Sequence, residues 1–154
     1  MISVQTHDFD IASEYNALKS SSASDGAIVT FTGLVRDINQ GNQVTGLTLE
    51  HYPGMTEKSL ANIVQQAKLR WPLGKVHVIH RVGRLLLLDQ IVFVGVTSKH
   101  REAAFEACQF IMDYLKNNAP FWKKETTLDG EKWVEFNEKD REAASRWKKR
   151  KYGV

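Results

Sequence analysis

Between Gly26 and Gly33 the chain reads "GAIVTFTG", β-branched and aromatic side chains alternating between two glycines at the period of two that marks a half-buried strand. After the polar loop "RDINQGNQ", the segment Val44–Tyr52 alternates again, with Leu47, Leu49 and His51 on one face and Thr48, Glu50 and Tyr52 on the other. These two strands are expected to pair with each other.

The period then lengthens. Pro53-Gly54 signals a turn, and Thr56 is placed to cap a helix whose Leu60, Ile63, Val64, Ala67 and Trp71 recur at helical spacing until Pro72 stops it. Val76–Val82 and Gln90–Thr97 read as two more strands, the second nearly continuous in apolar residues, as a central strand would be. A second helix, "HREAAFEACQFIMDYLKNN", carries Phe105, Cys108, Ile111, Met112 and Leu115 as one stripe. It is expected to end near Asn118, because Pro120 disfavours helical geometry at Ala119. A short strand around Trp133–Glu135 and a charged helix from about Glu138 complete the chain. The order β-β-α-β-β-α-β predicts an α+β fold, with helices packed on a mostly antiparallel sheet. A single domain is expected over residues 1–145, followed by a basic C-terminal tail at 146–154.

Composition narrows the class. At 154 residues, 42% of them hydrophobic and 25% charged, the chain is long enough to bury a core of its own. The single cysteine, Cys108, excludes an internal disulfide and fits a reducing compartment. The start "MISVQTHDFDIASEY" lacks the basic and apolar regions of a signal peptide, so a cytoplasmic location is expected. The apolar run from Leu85 to Val96 is broken by Asp89 and Gln90 and falls far short of the roughly 20 apolar residues that cross a bilayer, so no membrane association is expected. The net charge is +3, but residues 146–151, "RWKKRK", hold five of the 21 basic side chains and leave 16 against 18 acids elsewhere. A body with a slight negative balance argues against a nucleic-acid partner.

Candidate chemistry is thin until cations are taken together. His77 and His80 are close in sequence but three apart on a strand, hence on opposite faces, and no other spacing suggests a zinc site. There is no phosphate-binding glycine loop and no dinucleotide fingerprint. No metal or cofactor is therefore expected, and Cys108, on the apolar stripe, reads as a core thiol. Arg36 follows the first strand, His100 and Arg101 open the second helix, and Lys116, Lys123 and Lys124 surround its end in "LKNNAPFWKKE". His100 and Lys116 stand about four helical turns apart, so a shared pocket would need a neighbouring chain or a curved surface.

The ordered blocks "DGAIVTFTGLVR", "LTLEHYPGMTEKSL", "RWPLGKVHVIHRVG", "IVFVGVTSKHREAAFEACQFIMDYLKNNAPFWKKE" and "GEKWVE" resemble the large, catalytic subunit family of molybdopterin synthase, from Asp25 to Glu135. The resemblance implies an α/β-hammerhead-like fold with an added antiparallel sheet. It implies sulfur transfer to cyclic pyranopterin monophosphate, forming the dithiolene of molybdopterin in molybdenum cofactor biosynthesis. It further implies a ubiquitin-like small subunit with a C-terminal thiocarboxylate as sulfur donor, and a heterotetramer built on a homodimer of large subunits.

By the same resemblance, Lys116 and Lys123 are the catalytic candidates, with Arg36, His100, Arg101, Lys124 and Glu125 binding substrate. Phe121 and Trp122 are expected to anchor a turn that holds Lys116 and Lys123 toward one cavity. Two positions depart from the family pattern. Leu34 stands where a basic residue is expected, and "RLLLLD", Arg84 to Asp89, replaces a glycine-containing turn, so part of that leucine run is expected at an interface.

Overall fold

A computed structural model describes residues 1–19, 23–39, 42–133 and 138–150. The elements run β1 (Ile2–Gln5), α1 (Ile11–Lys19), β2 (Ala27–Leu34), β3 (Ile38–Asn39), β4 (Asn42–His51), α2 (Met55–Arg70), β5 (Leu73–Arg81), β6 (Gly83–Leu86), β7 (Gln90–Ser98), α3 (Arg101–Asn118), β8 (Phe121–Thr127), β9 (Gly130–Trp133) and α4 (Glu138–Arg150). The α+β class and its mostly antiparallel pairing match the expectation from the sequence.

Two sheets organise the molecule. The first has the order β1-β5-β7-β2, with β1 parallel to β5 and the other pairs antiparallel. Its β7 is central, as its apolar run predicts, and is buried from Val92 to Ser98. One face of this sheet packs Val76, Val78, Val92, Val94 and Val96 against Leu60, Ile63 and Ala67 of α2 and Ala107, Phe110, Ile111 and Leu115 of α3. The other face sets Ile79 and Phe93 against Phe9 and Leu18 of the α1 region. Each such fully buried large side chain contributes about 1.5–3 kcal/mol of hydrophobic stabilisation.

The second sheet has the order β3-β4-β8-β9, with β6 also paired to β4. Its inner face contributes Leu47 and Leu49 to a smaller cluster with Val35, Val82 and Leu85. This cluster joins the two sheets, because Val35 leaves β2 and Val82 leaves β5 directly into it.

Several expectations are corrected. β2 and β4 do not pair: β2 lies along β7, and β4 lies between β8 on one side and β3 and β6 on the other. Adjacency in sequence is overridden by the larger apolar surface that each strand finds in its own sheet. Gly54, at φ 86°, caps α2 rather than Thr56, with its N–H donating to Glu57 Oε2 at 3.2 Å. Thr56 is instead buried in the first turn, where its hydroxyl accepts from Tyr52 N at 3.2 Å and donates to Pro120 O at 3.1 Å.

Phe105 leaves the buried stripe of α3 and is 60% exposed, its place taken by Ala104, Ala107 and Phe110. Phe121 and Trp122 do not anchor a turn; they begin strand β8, paired with His51 and Glu50 of β4. Trp147 falls within the basic tail expected at 146–154, yet it lies in α4 and is 2% exposed, packed edge-on against Trp71 and Phe110. In the strand expected around Trp133, that residue ends β9, while Val134 and Glu135 lie outside the described residues, as do residues 151–154 of the tail.

Candidate active site

The helix that carries Lys116 is positioned by the strand before it. β7 runs from Gln90 to Ser98, and α3 folds back across β7 and β2, so the C-terminal end of α3 returns toward the start of β7. Leu34 ends β2 opposite Gln90, and His80 nears the end of β5 opposite Val92, at that same end of the sheet. Lys116, Arg36 and His80 therefore gather where the first sheet abuts the second. His100 and Arg101 lie at the opposite end: sixteen residues of regular helix span roughly 24 Å.

α3 stops as its sequence requires. Ala119 turns extended at φ −77° and ψ 131° before Pro120, while its N–H still bonds Leu115 O at 3.3 Å. Only Ala119 and Pro120 separate the helix from β8. Phe121 N then bonds Ala119 O at 2.9 Å, and Pro120 O accepts from Thr56, so the link is held on both sides.

Along β8 the side chains alternate. Phe121, Lys123 and Glu125 share the face of His51, Leu49 and Leu47, their direct partners on β4, and so point toward the seam between the sheets. Glu125 is 3% exposed there. Lys124 points to the other face, where its Nζ lies 3.5 Å from Glu131 and 5.1 Å above the Trp133 ring. The structure thus brings Lys116, Lys123, Glu125 and Arg36 to one end of the molecule, sets Lys124 across the second sheet from them, and leaves His100 and Arg101 exposed at the far end of α3.

A cavity of about 330 Å³ lies between α3 and the outer strand β2. Val29, Phe31, Phe105 and Met112 make it largely apolar, and Gln109, Asp113 and Lys116 give it polar groups. Asp113 is buried, accepting from Trp147 Nε1 at 2.7 Å and from Gln109 Nε2 at 2.8 Å. Lys116 itself is exposed at the cavity's end. Cys108 also lines the cavity, but burial pushes its thiol up to about 12, so it carries no thiolate near neutral pH and supplies no nucleophile.

The residues that sequence reasoning gives no role here are His51 and His80; Phe121, expected to anchor a turn, instead meets His80 from the start of β8. His80 is 6% exposed, and its ring stacks on Phe121 with centroids 3.9 Å apart and an interplanar angle of 22°. Its Nδ1 lies 2.9 Å from Arg81 O, and since a carbonyl only accepts, Nδ1 carries the hydrogen. Burial pushes this ring down to about 4; the bond to Arg81 O opposes that, while Lys116 and His51 nearby add to it. A strand histidine between Ile79 and Arg81 gives no signal of this in sequence. Among the described residues no group of three or more His, Cys, Asp or Glu is placed to hold a metal ion.

Comparison with known proteins places this geometry in a context. The family model described as MoaE protein matches residues 4–118. The chain is 59% identical over 146 residues to a molybdopterin synthase catalytic subunit of Vibrio cholerae, covering 95% of this chain and 97% of that one. It is 60% identical over 146 residues to the subunit of the same name in Escherichia coli, with the same two coverages. A solved structure of a molybdopterin biosynthesis MoaE protein from Burkholderia ambifaria superposes with a TM-score of 0.82 at 52% identity, covering 96% of this chain and 97% of that one.

Proposed function

This chain belongs to the MoaE protein family, and from that premise we infer that it works as the catalytic subunit of molybdopterin synthase, an enzyme of molybdenum cofactor biosynthesis. The finer reading is sulfur transfer from the C-terminal thiocarboxylate of a ubiquitin-like small subunit to cyclic pyranopterin monophosphate. Each sulfur delivered leaves that C-terminus as a carboxylate, and two deliveries complete the dithiolene.

One observation carries the site assignment: Lys116 and Lys123 stand on either side of a two-residue link, at the seam of the two sheets, with Lys116 at the end of the apolar cavity. A thiocarboxylate tail and a pterin phosphate are both anionic, so Lys116 at the cavity and the cations at the adjoining seam attract them and stabilise charge developing on acyl and phosphate oxygens. Lys116 is the essential group at the acyl carbon, as acid–base or nucleophile. Lys123 and Arg36 hold the anionic partners, with Glu125 beside them.

His100 and Arg101 reach the same chemistry only from a second copy of this chain, because roughly 24 Å of helix separates them from Lys116 in their own. The working unit is therefore a homodimer of large subunits carrying two small subunits, with each site shared across the dimer. Lys124, on the outer face with Glu131, helps from that side in docking the small subunit. The exposed Leu86, Leu87 and Leu88 belong to an interface of this assembly. A cytoplasmic location fits this reading, and no helix among the described residues is long and apolar enough to cross a membrane.

The deciding experiment mixes the protein with thiocarboxylated small subunit and cyclic pyranopterin monophosphate and follows dithiolene formation, beside Lys116→Ala. Product from the parent and a loss of at least roughly 100-fold in the variant are expected. A folded parent that binds the small subunit and makes no product would overturn the catalytic reading.

A further inference from the structure

Lys116 and Lys123 sit on different layers of the molecule. Lys116 rides on α3, which packs on the first sheet, and Lys123 rides on β8, in the second. Their separation is set by how the two sheets abut and by the short Ala119-Pro120 link. At that junction the side chain of Phe121 lies flat on the ring of His80, a contact from β8 directly to β5. Phe121 also packs on the small cluster of Val35, Leu47, Leu49, Val82 and Leu85 that joins the sheets.

We propose that His80 is a positioning residue for the sulfur-transfer site: its stack on Phe121 fixes the start of β8 and thereby holds Lys123 in register with Lys116. Phe121 and Lys123 share a face of β8, two residues apart, so a tilt of the Phe121 ring moves the Lys123 side chain with it. The His80 ring is itself pinned, by burial at 6% exposure and by the 2.9 Å bond from Nδ1 to Arg81 O. An imidazole suits the place for two reasons. It stacks like an aromatic hydrocarbon, and it satisfies the Arg81 carbonyl at the end of β5, which a phenyl ring would leave without this donor. Because the ring stays neutral, it can also stand near the Lys116 ammonium and His51 without adding charge.

The proposal rests on the function inferred above, and its test separates the two. His80→Phe and His80→Ala are compared with the parent in dithiolene formation, at a temperature where circular dichroism shows each fully folded. In parallel, a short amine-reactive cross-linker is applied and the Lys116–Lys123 adduct is quantified by mass spectrometry. His80→Ala is expected to lose roughly 10- to 100-fold in kcat with little change in KM for the small subunit, and to lose most of the adduct. His80→Phe, which keeps the stack, should stay within about threefold of the parent and recover the adduct, since the packed ring still fixes Phe121.

A fully folded His80→Ala with parental kcat and parental adduct yield would overturn the proposal. So would His80→Phe as slow as His80→Ala, because the stack would then not be the cause. If the parent makes no product, the sulfur-transfer reading fails, while the adduct yields still decide whether His80 sets the spacing of the lysines.

Discussion

Leu88 adopts a φ of 67° in the turn between β6 and β7, a left-handed conformation that a branched side chain occupies at a cost of roughly 1–2 kcal/mol. The turn tolerates it because Leu88 N donates to Val35 O at 2.9 Å, Leu86 N to Asp89 Oδ2 at 2.8 Å and Asp89 N to Leu86 O at 3.1 Å. Leu88 is 76% exposed in the single chain, so replacing it removes little packing within the fold itself. Leu88→Asn should therefore stabilise the fold by about 0.5–1 kcal/mol, since asparagine accepts this φ without the entropy that glycine adds to the unfolded chain. Thermal melting checks the sign: a lower Tm would mean that the leucine side chain makes a contact worth more than its strain.

His80 makes a second prediction at this scale. Its ring titrates near 4 in the folded protein and near 6.5 when unfolded, so between those values the unfolded chain binds more protons. Stability is thus complete above about pH 6.5, falls as the pH drops toward 4, and levels off below, with a total loss of about 3 kcal/mol from this group. The Lys116 and His51 charges and the Arg81 carbonyl all bear on the ring, the first two lowering and the last raising its affinity for the proton. Urea unfolding of His80→Phe at pH 7 and pH 4.5 should show a flatter pH dependence than the parent, and equal slopes would refute the assignment.

At the scale of elements, α4 depends on one residue. Trp147 packs against Trp71 and Phe110 with ring centroids 5.6 Å away in each case, and donates its Nε1–H to the buried Asp113 carboxylate. Arg70 Nη1 reaches the Trp147 carbonyl at 3.3 Å, tying α4 to the end of α2. Trp147→Ala should cost about 3–5 kcal/mol, through the cavity left among these rings and the loss of the indole hydrogen bond to the buried Asp113 Oδ2. Trp147→Phe should cost less, keeping most of the packing and losing the hydrogen bond. Because Asp113 lines the cavity one helical turn before Lys116, both variants should also weaken sulfur transfer at temperatures where they remain folded. A Trp147→Ala chain melting within a degree of the parent would mean that α4 does not dock as described.

The elements also show where periodicity is a sufficient guide. α2, α3, β5 and β7 are long and strongly patterned, and their positions follow from the spacing of Leu60 to Ala67, Cys108 to Leu115, Val76 to Val82 and Val92 to Val96. α1 is missed although Asp10 caps it, accepting from Ser13 N at 3.1 Å and Ser13 Oγ at 2.7 Å, because its nine residues bury only Leu18 and show little stripe. β8 is missed because "FWKKETT" runs two aromatics, three charges and two threonines in blocks with no apolar–polar alternation, and only the presence of β4 beside it makes that a strand.

For the whole molecule, the separation of His100 and Arg101 from Lys116 gives a test that needs two chains. If each site takes Lys116 from one copy and Arg101 from another, Lys116→Ala and Arg101→Ala are each inactive alone. Mixed and allowed to exchange subunits, they form heterodimers with one intact site and one carrying both defects. Activity should then return to roughly a quarter of the parental level, as expected for random pairing into shared two-fold sites. No recovery, with subunit exchange shown by mass spectrometry, would confine the site to one chain.

What the sequence determined by itself was local: the class of fold, the main helices and strands, the end of α3 near Asn118 and the burial of Cys108. Those features depend on spacing along the chain and on the conformational limits of proline, which act over a few residues. Only the tertiary structure decided that β2 and β4 belong to different sheets, that Lys123 and Lys124 face opposite ways with Glu125 on the side of Lys123, and that His80 meets Phe121 across the seam. These depend on which apolar surfaces find each other over separations of 41 residues and more, a global minimisation of exposed surface that no local pattern encodes.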